Sequence, residues 1–178
     1  VPRWIVVGAG TGGTSATIGR WVRYQSHLTQ VCVADPEGSV FTAYHRTGDT
    51  TLTACGSRIE GIGRPRVEPS FIPSLVDRME EVGNLESIAA MQLLGQLLGR
   101  RVGPSTGTNL VAMLRLACEM RDSGQTGSIL SLLCDAGERY LCTYHDAQWV
   151  QQQLGDVAPA LAQLQQLLDR QGQVQRWV

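Results

Sequence analysis

Lysine is missing from this chain of 178 residues, since all 15 of its basic residues are arginine. Covalent catalysis that condenses a lysine amine with a carbonyl group is therefore excluded for the chain by itself. The net charge is −1, which gives no electrostatic attraction toward nucleic acid or an anionic membrane surface. The apolar runs are all short, so we expect no membrane span, no signal peptide and a cytoplasmic location.

A paired-cysteine motif is also missing. Five cysteines are scattered along the chain without a C-x-x-C pair, which argues against both a disulfide framework and a metal site of the zinc type. Hydrophobic residues make up 43% and charged residues 17%, proportions typical of a folded globular domain. The chain begins at Val1 rather than at methionine, directly on an apolar run, so we expect a fragment, a processed piece or a single domain.

The first 35 residues have the pattern of a βαβ unit. Residues 3–8 form a continuous apolar run that ends in glycine and predicts a buried strand. Residues 12–25 predict a helix with Ile18, Trp21 and Val22 on one apolar stripe, and residues 31–35 predict a second strand. This succession predicts an α/β fold with a parallel sheet.

Further elements follow with less regularity. The pattern predicts a loop over 45–69, a strand over 77–82, a helix over 84–98 capped by Asn84, a strand over 100–103, a glycine-bearing turn over 103–109, a helix over 110–120 and a strand over 128–134. The glutamine-rich tail over 157–173 is predicted to be a helix, whose apolar stripe we expect to pack on its own domain.

The stretch V-V-G-A-G-T-G-G-T (6–14) joins the first strand to the first helix. Free N–H groups at such a junction bind phosphate, and glycine lets the backbone come close to it. The glycines of a G-x-G-x-x-G pattern are Gly8, Gly10 and Gly13. Asp35 lies 22 residues after Gly13, where a dinucleotide's ribose would meet an acidic residue. Thr11 and Thr14 instead favour a terminal phosphate, and the loop alone leaves both interpretations open.

The turn G-P-S-T-G-T-N (103–109) has a similar position before a predicted helix. In a parallel sheet both turns are expected at the carboxyl edge, where ligands bind. Ser105 would offer a hydroxyl group there, although a serine at this place can equally be an ordinary helix cap.

Five ordered blocks together resemble one enzyme family. They are G-A-G-T-G-G-T, A-D-P-E-G-S, E-G-I-G-R-P-R-V-E-P-S-F-I-P, G-P-S-T-G-T-N and C-D-A-G-E-R-Y-L. In this order they resemble the cysteine synthase and cystathionine β-synthase group, which are pyridoxal-phosphate enzymes of fold type II. The third block is most similar to bacterial cysteine synthase-like proteins that act as cysteine desulfhydrases. The resemblance covers about residues 3–150.

The resemblance implies a three-layer fold, a mostly parallel sheet with helices on both faces, and pyridoxal 5′-phosphate as the cofactor. The residues that match the family's phosphate loop are Gly10, Thr11, Gly12, Gly13 and Thr14. Ser105 matches the serine that binds the pyridine nitrogen, and Gly61, Ile62 and Gly63 match a loop near the substrate. The resemblance further implies a small amino-acid substrate, either cysteine or an O-activated serine, and a homodimer.

Two departures from the family limit what this chain can do. The family's cofactor-binding lysine and its substrate-carboxylate loop both lie upstream of the glycine loop, and neither is present. We therefore expect the C-terminal part of such an enzyme, inactive alone, with a cofactor-binding domain over 1–150 and a helical tail over 151–178. The alternatives are a nicotinamide dinucleotide-binding domain and a non-catalytic half of a split or pseudo-enzyme. Cys134 also stands where the family usually has proline.

Overall fold

A single parallel sheet forms the centre of the molecule. The structure is a computed structural model that describes residues 1–172. Its strands are β1 (Trp4–Gly8), β2 (Gln30–Pro36), β3 (Arg78–Val82) and β4 (Ile129–Ser131). They lie side by side in the order β3-β2-β1-β4, and every pairing is parallel. The register places Val6 opposite both Cys32 and Ser131. The predicted α/β class is thus confirmed.

Six helices accompany the sheet in the described residues. They are α1 (Gly13–Tyr24), α2 (Phe41–Thr47), α3 (Asn84–Leu98), α4 (Pro104–Asp122), α5 (Ala147–Gln153) and α6 (Ala158–Gly172). Short 3₁₀ turns occur at Pro73–Leu75 and Gly137–Tyr140. Within residues 1–172, no helix combines the length and the apolar character that crossing a bilayer requires.

The side chains of β1 and β2 alternate between two hydrophobic layers, as the pleat of a strand requires. One face, which includes Ile5, Val7 and Val31, packs against α1. The other face, which includes Val6 and Cys32, packs against residues of α3, α4 and α6. Burial on both sides explains the continuous apolar runs over residues 4–7 of β1 and 31–34 of β2. The expected three layers, with helices on both faces of the sheet, are confirmed.

Helices α3 and α4 approach each other closely at Gly107. A Cβ atom on Gly107 would lie 2.0 Å from the Ser87 carbonyl oxygen, so only glycine fits there. The Thr108 hydroxyl donates to the Ser87 hydroxyl oxygen at 2.8 Å, which adds a buried polar contact to the crossing. This crossing holds the N-terminal end of α4 beside the sheet.

Helix α4 begins earlier than the sequence predicts. Residues 104–109, predicted to form a turn, are the first turns of the helix, which begins at Pro104 after the N-cap Gly103. Proline suits the first helical position, because the backbone N–H that proline lacks would have no partner within the helix at that position. The predicted strand over 100–103 is also wrong, since only Val102 makes an isolated bridge, to Ala136.

Smaller differences occur elsewhere. Helix α2 reaches into the predicted loop, α5 was not predicted, and the cap of α3 is Gly83 rather than Asn84. Glu86 completes that cap by accepting a hydrogen bond from the Gly83 N–H at 2.8 Å. Trp21, predicted to share an apolar stripe with Ile18 and Val22, is half exposed and does not belong to the cluster in which those two residues pack against the sheet.

The tail helix packs on the domain as expected. Leu164 of α6 is buried in the same cluster as Trp4 and Val6, and Leu161 and Leu168 pack against that cluster. The structure describes helix α6 over Ala158–Gly172, and residue 173 of the helix predicted over 157–173 lies outside the described residues. The boundary at residue 150 between two domains stays a prediction.

Candidate functional site

An open cavity of about 720 Å³ lies at the carboxyl edge of the sheet. It forms where β1 ends and where the N-terminal ends of α1 and α4 converge. Its lining residues come from four segments: Val7–Ile18 in part, Gly61, Ile62 and Arg64, then Ser105 and Asn109, and finally Leu132, Cys134 and Asp135. Ligands of open α/β sheets bind at this edge.

Residues 10–14, called the phosphate loop below, form one wall of the cavity. Gly12 is the N-cap of α1 with a φ of 89°, in the left-handed region that favours glycine. A Cβ atom on Gly10 would lie 2.5 Å from the Gly61 carbonyl oxygen, so the two segments touch through their backbones. The first N–H groups of α1 have no partner within the helix and carry its positive dipole end, which suits an anion.

Two hydroxyl groups extend the polar character of this wall. Thr11 and Thr14 are exposed and line the cavity. In residues 1–172 neither hydroxyl has a hydrogen-bond partner, so both are available to acceptor oxygens of a ligand.

The N-terminal end of α4 forms the opposite wall. Ser105 is buried, 4% exposed, at the first turn of the helix and lines the cavity. The segment after β4 fixes this turn: the Cys134 N–H donates to the Thr106 hydroxyl at 2.9 Å, and the Gly103 N–H donates to the Asp135 carbonyl at 2.9 Å. Ser105 is therefore presented by a rigid helix end rather than by a mobile loop.

Asn109 lies one helical turn beyond Ser105 and lines the same cavity. It is 2% exposed, and its Nδ2 lies 3.5 Å from the Cys134 sulfur. Its Oδ1 is buried and has no hydrogen-bond partner among the described residues. A buried amide oxygen without a partner costs about 1–3 kcal/mol, which a donor brought by a ligand or water would recover.

The segment 61–64 closes the third side. The Gly63 N–H donates to the Ala9 carbonyl at 2.8 Å, which ties this segment to the residues before the phosphate loop. Tyr144 supports the same region, because its hydroxyl donates to the Arg58 carbonyl at 2.9 Å and accepts from the Glu60 N–H at 3.1 Å. Gly61 and Ile62 line the cavity, whereas Gly63 stands behind them.

Two charged side chains line the cavity in the described part of the chain, Arg64 and Asp135. Asp135 is already engaged, since its Oδ2 accepts a 2.5 Å hydrogen bond from the Tyr140 hydroxyl. Burial, the hydrogen bond to Asp135 and the charge of that carboxylate together raise the pKa of Tyr140 far above its ordinary value, so the phenol stays protonated. Arg64 is far less engaged.

Comparison with known proteins decides the family. The profile of the family described as "Pyridoxal-phosphate dependent enzyme" matches residues 1–135. The chain belongs to the pyridoxal-phosphate dependent enzymes. It is 55% identical to the L-cysteine desulfhydrase Cds1 of Mycobacterium tuberculosis, over 90% of this chain and 44% of that protein. It is 30% identical to cysteine synthase 2 of Schizosaccharomyces pombe, over 82% of this chain and 39% of that protein.

A cystathionine beta-synthase of Saccharomyces cerevisiae is 27% identical over 83% of this chain and 29% of its own length. The chain thus spans less than half the length of these curated relatives. The family, its cofactor pyridoxal phosphate and the fold all agree with the expectation from the five sequence blocks.

The residues of the cavity fit that cofactor. The glycine-rich wall leaves room for a phosphate against free N–H groups, and the second wall offers a hydroxyl and an unpartnered amide oxygen to a ring. The structure brings the predicted residues Gly10–Thr14, Gly61, Ile62 and Ser105 together in one cavity. Their individual roles toward the cofactor stay predictions.

Asp35 lies elsewhere, which removes the basis of the dinucleotide alternative. It is 1% exposed within β2, and its Oδ2 accepts hydrogen bonds from the Thr42 N–H and hydroxyl, both at 2.8 Å. Burial raises the pKa of this carboxyl above its ordinary value. Asp35 therefore anchors the start of α2 and does not line the cavity.

Asn109, Arg64 and Asp135 line the cavity but were not predicted as site residues from the sequence. Asn109 could have been found from its spacing of four residues after Ser105, had the helix been started at Pro104. Arg64 and Asp135 stand in irregular segments, where no periodicity shows which way a side chain points. In residues 1–172 no group of three or more histidine, cysteine or acidic side chains is placed to hold a metal ion.

Proposed function

We propose that this chain forms the phosphate- and ring-binding part of a pyridoxal-phosphate enzyme that acts on cysteine. The observation that carries the proposal is the convergence of the phosphate loop and Ser105 on one cavity at the sheet edge. The identity to a cysteine desulfhydrase favours desulfhydration, in which cysteine and water give sulfide, pyruvate and ammonia. Cysteine synthesis by β-replacement, for which an O-activated serine is the substrate, is the alternative outcome.

The phosphate loop would hold the phosphate through backbone N–H groups of Gly10–Thr14, helped by the hydroxyls of Thr11 and Thr14. Ser105 would donate its hydroxyl hydrogen to the pyridine nitrogen. When bound, pyridoxal phosphate supplies an electron sink for negative charge that develops next to the amino group of the substrate. A neutral serine at the ring nitrogen leaves that nitrogen unprotonated, which makes the sink milder and suits elimination and replacement at the β-carbon.

The segment 61–64 would shield the substrate side of the cofactor. Gly61 and Ile62 face the cavity, and the hydrogen bonds of Gly63 to Ala9 and of Glu60 to Tyr144 hold them there. A wall held at both ends excludes water without having to reorganise, which protects a reactive centre.

No side chain of this chain can hold the cofactor covalently, because lysine is absent. We therefore propose that the chain by itself binds pyridoxal phosphate reversibly and does not release sulfide from cysteine. Catalysis would need a lysine from outside this sequence. The expected homodimer and the cytoplasmic location stay predictions.

Titration with pyridoxal phosphate tests the proposal. We expect saturable binding, which absorbance and the rise in Tm both measure. Dialysis should remove the bound cofactor even after borohydride reduction. Ser105→Ala should weaken binding by about 2- to 12-fold, the range of one neutral hydrogen bond. Ser123→Ala is the matched control, because Ser123 follows the other end of α4 and bonds only to carbonyls there.

Three results would contradict the proposal. Absence of any binding by the wild-type chain would show that the cavity is not a cofactor site. Irreversible reduction onto a side chain would show that the chain can hold the cofactor covalently. Equal affinities of Ser105→Ala, Ser123→Ala and the wild type for pyridoxal phosphate would show that Ser105 does not bind the cofactor ring.

A further inference from the structure

Arg64 brings the one positive side-chain charge to the cavity in the described part of the chain. Its backbone is fixed on both sides. The Arg64 N–H donates to the Ser39 hydroxyl oxygen at 3.3 Å, and its carbonyl accepts from the Val40 N–H at 2.9 Å. The start of its side chain is therefore set by the fold rather than by the side chain's own contacts.

The guanidinium makes few contacts for a group with five donors. Its Nη1 donates to the Gly63 carbonyl at 3.3 Å, and its Nε lies 3.8 Å from Glu68 Oε1, too far for a hydrogen bond. Its Nη2 has no hydrogen-bond partner in residues 1–172 and lies 3.6 Å from the point where a Cβ atom of Gly10 would stand. Unused donors thus lie at the first residue of the phosphate loop.

Arg64 is not needed to neutralise the charge of Glu68. The Arg66 Nε also lies 3.8 Å from Glu68 Oε1, and the Arg66 side chain is 78% exposed. Glu68 therefore keeps an arginine partner without Arg64. The arginine that faces the cavity is the one whose charge is available to a ligand.

We propose that Arg64 is a phosphate-binding residue of this site and donates hydrogen bonds from its guanidinium to the cofactor's phosphate. The inference rests on the proposed function, since it places the same phosphate at the phosphate loop. Arginine suits this role because its planar fork of donors matches the oxygens of a phosphate. The backbone N–H groups and the α1 dipole supply only partial charges, whereas Arg64 supplies a full one.

The test compares two ligands that lack the aldehyde, pyridoxine 5′-phosphate and pyridoxine, by isothermal titration calorimetry on the intact chain. Arg64→Gln should lower the affinity for pyridoxine 5′-phosphate by about 10- to 100-fold, the range for hydrogen bonds to charged groups, and leave the affinity for pyridoxine unchanged. Arg64→Lys should fall between the two, because it keeps the charge and loses the fork. Arg66→Gln, which removes the other arginine beside Glu68, should behave like the wild type.

The outcomes separate the two proposals. If the wild type binds pyridoxine 5′-phosphate and Arg64→Gln binds it equally well, or loses affinity for both ligands alike, the assignment of Arg64 is wrong while the cofactor site stands. If the wild type binds neither ligand, the cofactor site itself is wrong and Arg64 loses its ligand. Raising the salt concentration should weaken the binding of pyridoxine 5′-phosphate to the wild type more than its binding to Arg64→Gln. Equal salt dependence of the two affinities would also overturn the assignment. If Arg64→Gln fails to fold, Arg64→Lys and the salt dependence of the wild type decide.

Discussion

Replacing Gly12 by alanine should destabilise the protein strongly, although it adds one methyl group. Gly12 has a φ of 89°, and a side chain in that left-handed conformation costs about 1–2 kcal/mol. The added Cβ would also lie 2.4 Å from the Cα of Phe71, more than 1 Å inside an ordinary contact of about 3.5 Å. Phe71 is buried and stacked on Phe41 with ring centroids 4.4 Å apart, so it cannot retreat.

Overpacking of this kind costs about 1–3 kcal/mol, so the two terms together give roughly 2–5 kcal/mol. With a urea dependence of about 2 kcal/mol per molar, the unfolding midpoint should fall by about 1–2.5 M. A loss of that size is a large part of the total stability of about 5–15 kcal/mol expected for a domain.

Gly13→Ala is the matched control, since it changes the adjacent residue of the same loop. Its φ is not positive, and the nearest atom to an added Cβ is the Thr11 Oγ1 at 3.9 Å. Its free energy of unfolding should stay within about 1 kcal/mol of the wild type, because alanine is at least as good a helix former as glycine. Urea unfolding without ligand, followed by circular dichroism, measures both variants. Equal midpoints for the two variants would refute the reasoning.

Three further predictions concern buried and cavity-lining groups. Cys32 should resist thiol reagents at pH 8 in the folded protein, because burial raises the pKa of its thiol to about 12. Cys134, which lines the cavity, should react with the same reagents and be protected by bound pyridoxal phosphate. Mass-spectrometric mapping measures the labelling of both, and rapid labelling of Cys32 would contradict the prediction. The Asp35→Asn variant should become more stable relative to the wild type as the pH rises above about 4. The raised pKa of the wild-type carboxyl stabilises the folded state at low pH, and the wild type loses that contribution as the carboxyl ionises. A difference in Tm between the two proteins that stays constant from pH 3 to 8 would disprove the prediction. Tyr144→Phe should cost about 1–3 kcal/mol in urea unfolding, because two backbone groups lose their shared partner, and an unchanged midpoint would show that the hydroxyl is dispensable.

Much of the fold could be predicted from local pattern. The strand before the glycine loop, helix α1, strand β2 and helix α3 have boundaries within a few residues of the prediction, because each has a clear apolar period or a glycine end. The start of α4 could not be predicted in the same way. Its first residues, P-S-T-G-T-N, are poor helix formers, and contacts with distant segments stabilise them as a helix. These contacts are the close crossing with α3 at Gly107 and the hydrogen bond from the Cys134 N–H to the Thr106 hydroxyl.

The same difference separates the predicted site residues from the missed ones. Glycine at a strand–helix junction has a local reason that shows in the sequence, namely the φ of Gly12 and the tight approach of Gly10. Asn109 and Arg64 have no such local reason. Their positions in the cavity come from the fold, which buries an amide oxygen without a partner and places a guanidinium beside residues 10–14.

The sequence by itself determined the parallel α/β class, the glycine-rich loop between the first strand and the first helix, the likeness to cysteine-metabolising pyridoxal-phosphate enzymes and the absence of any lysine to hold that cofactor. These follow from residue types and their spacing, which local sterics and hydrogen bonding make readable. Only the tertiary structure decided that Asp35 is buried away from the cavity, that Ser105 and Asn109 share one helix face, and that Arg64 reaches Gly10. Contacts between segments distant in the chain depend on how the layers pack, and no local pattern encodes them.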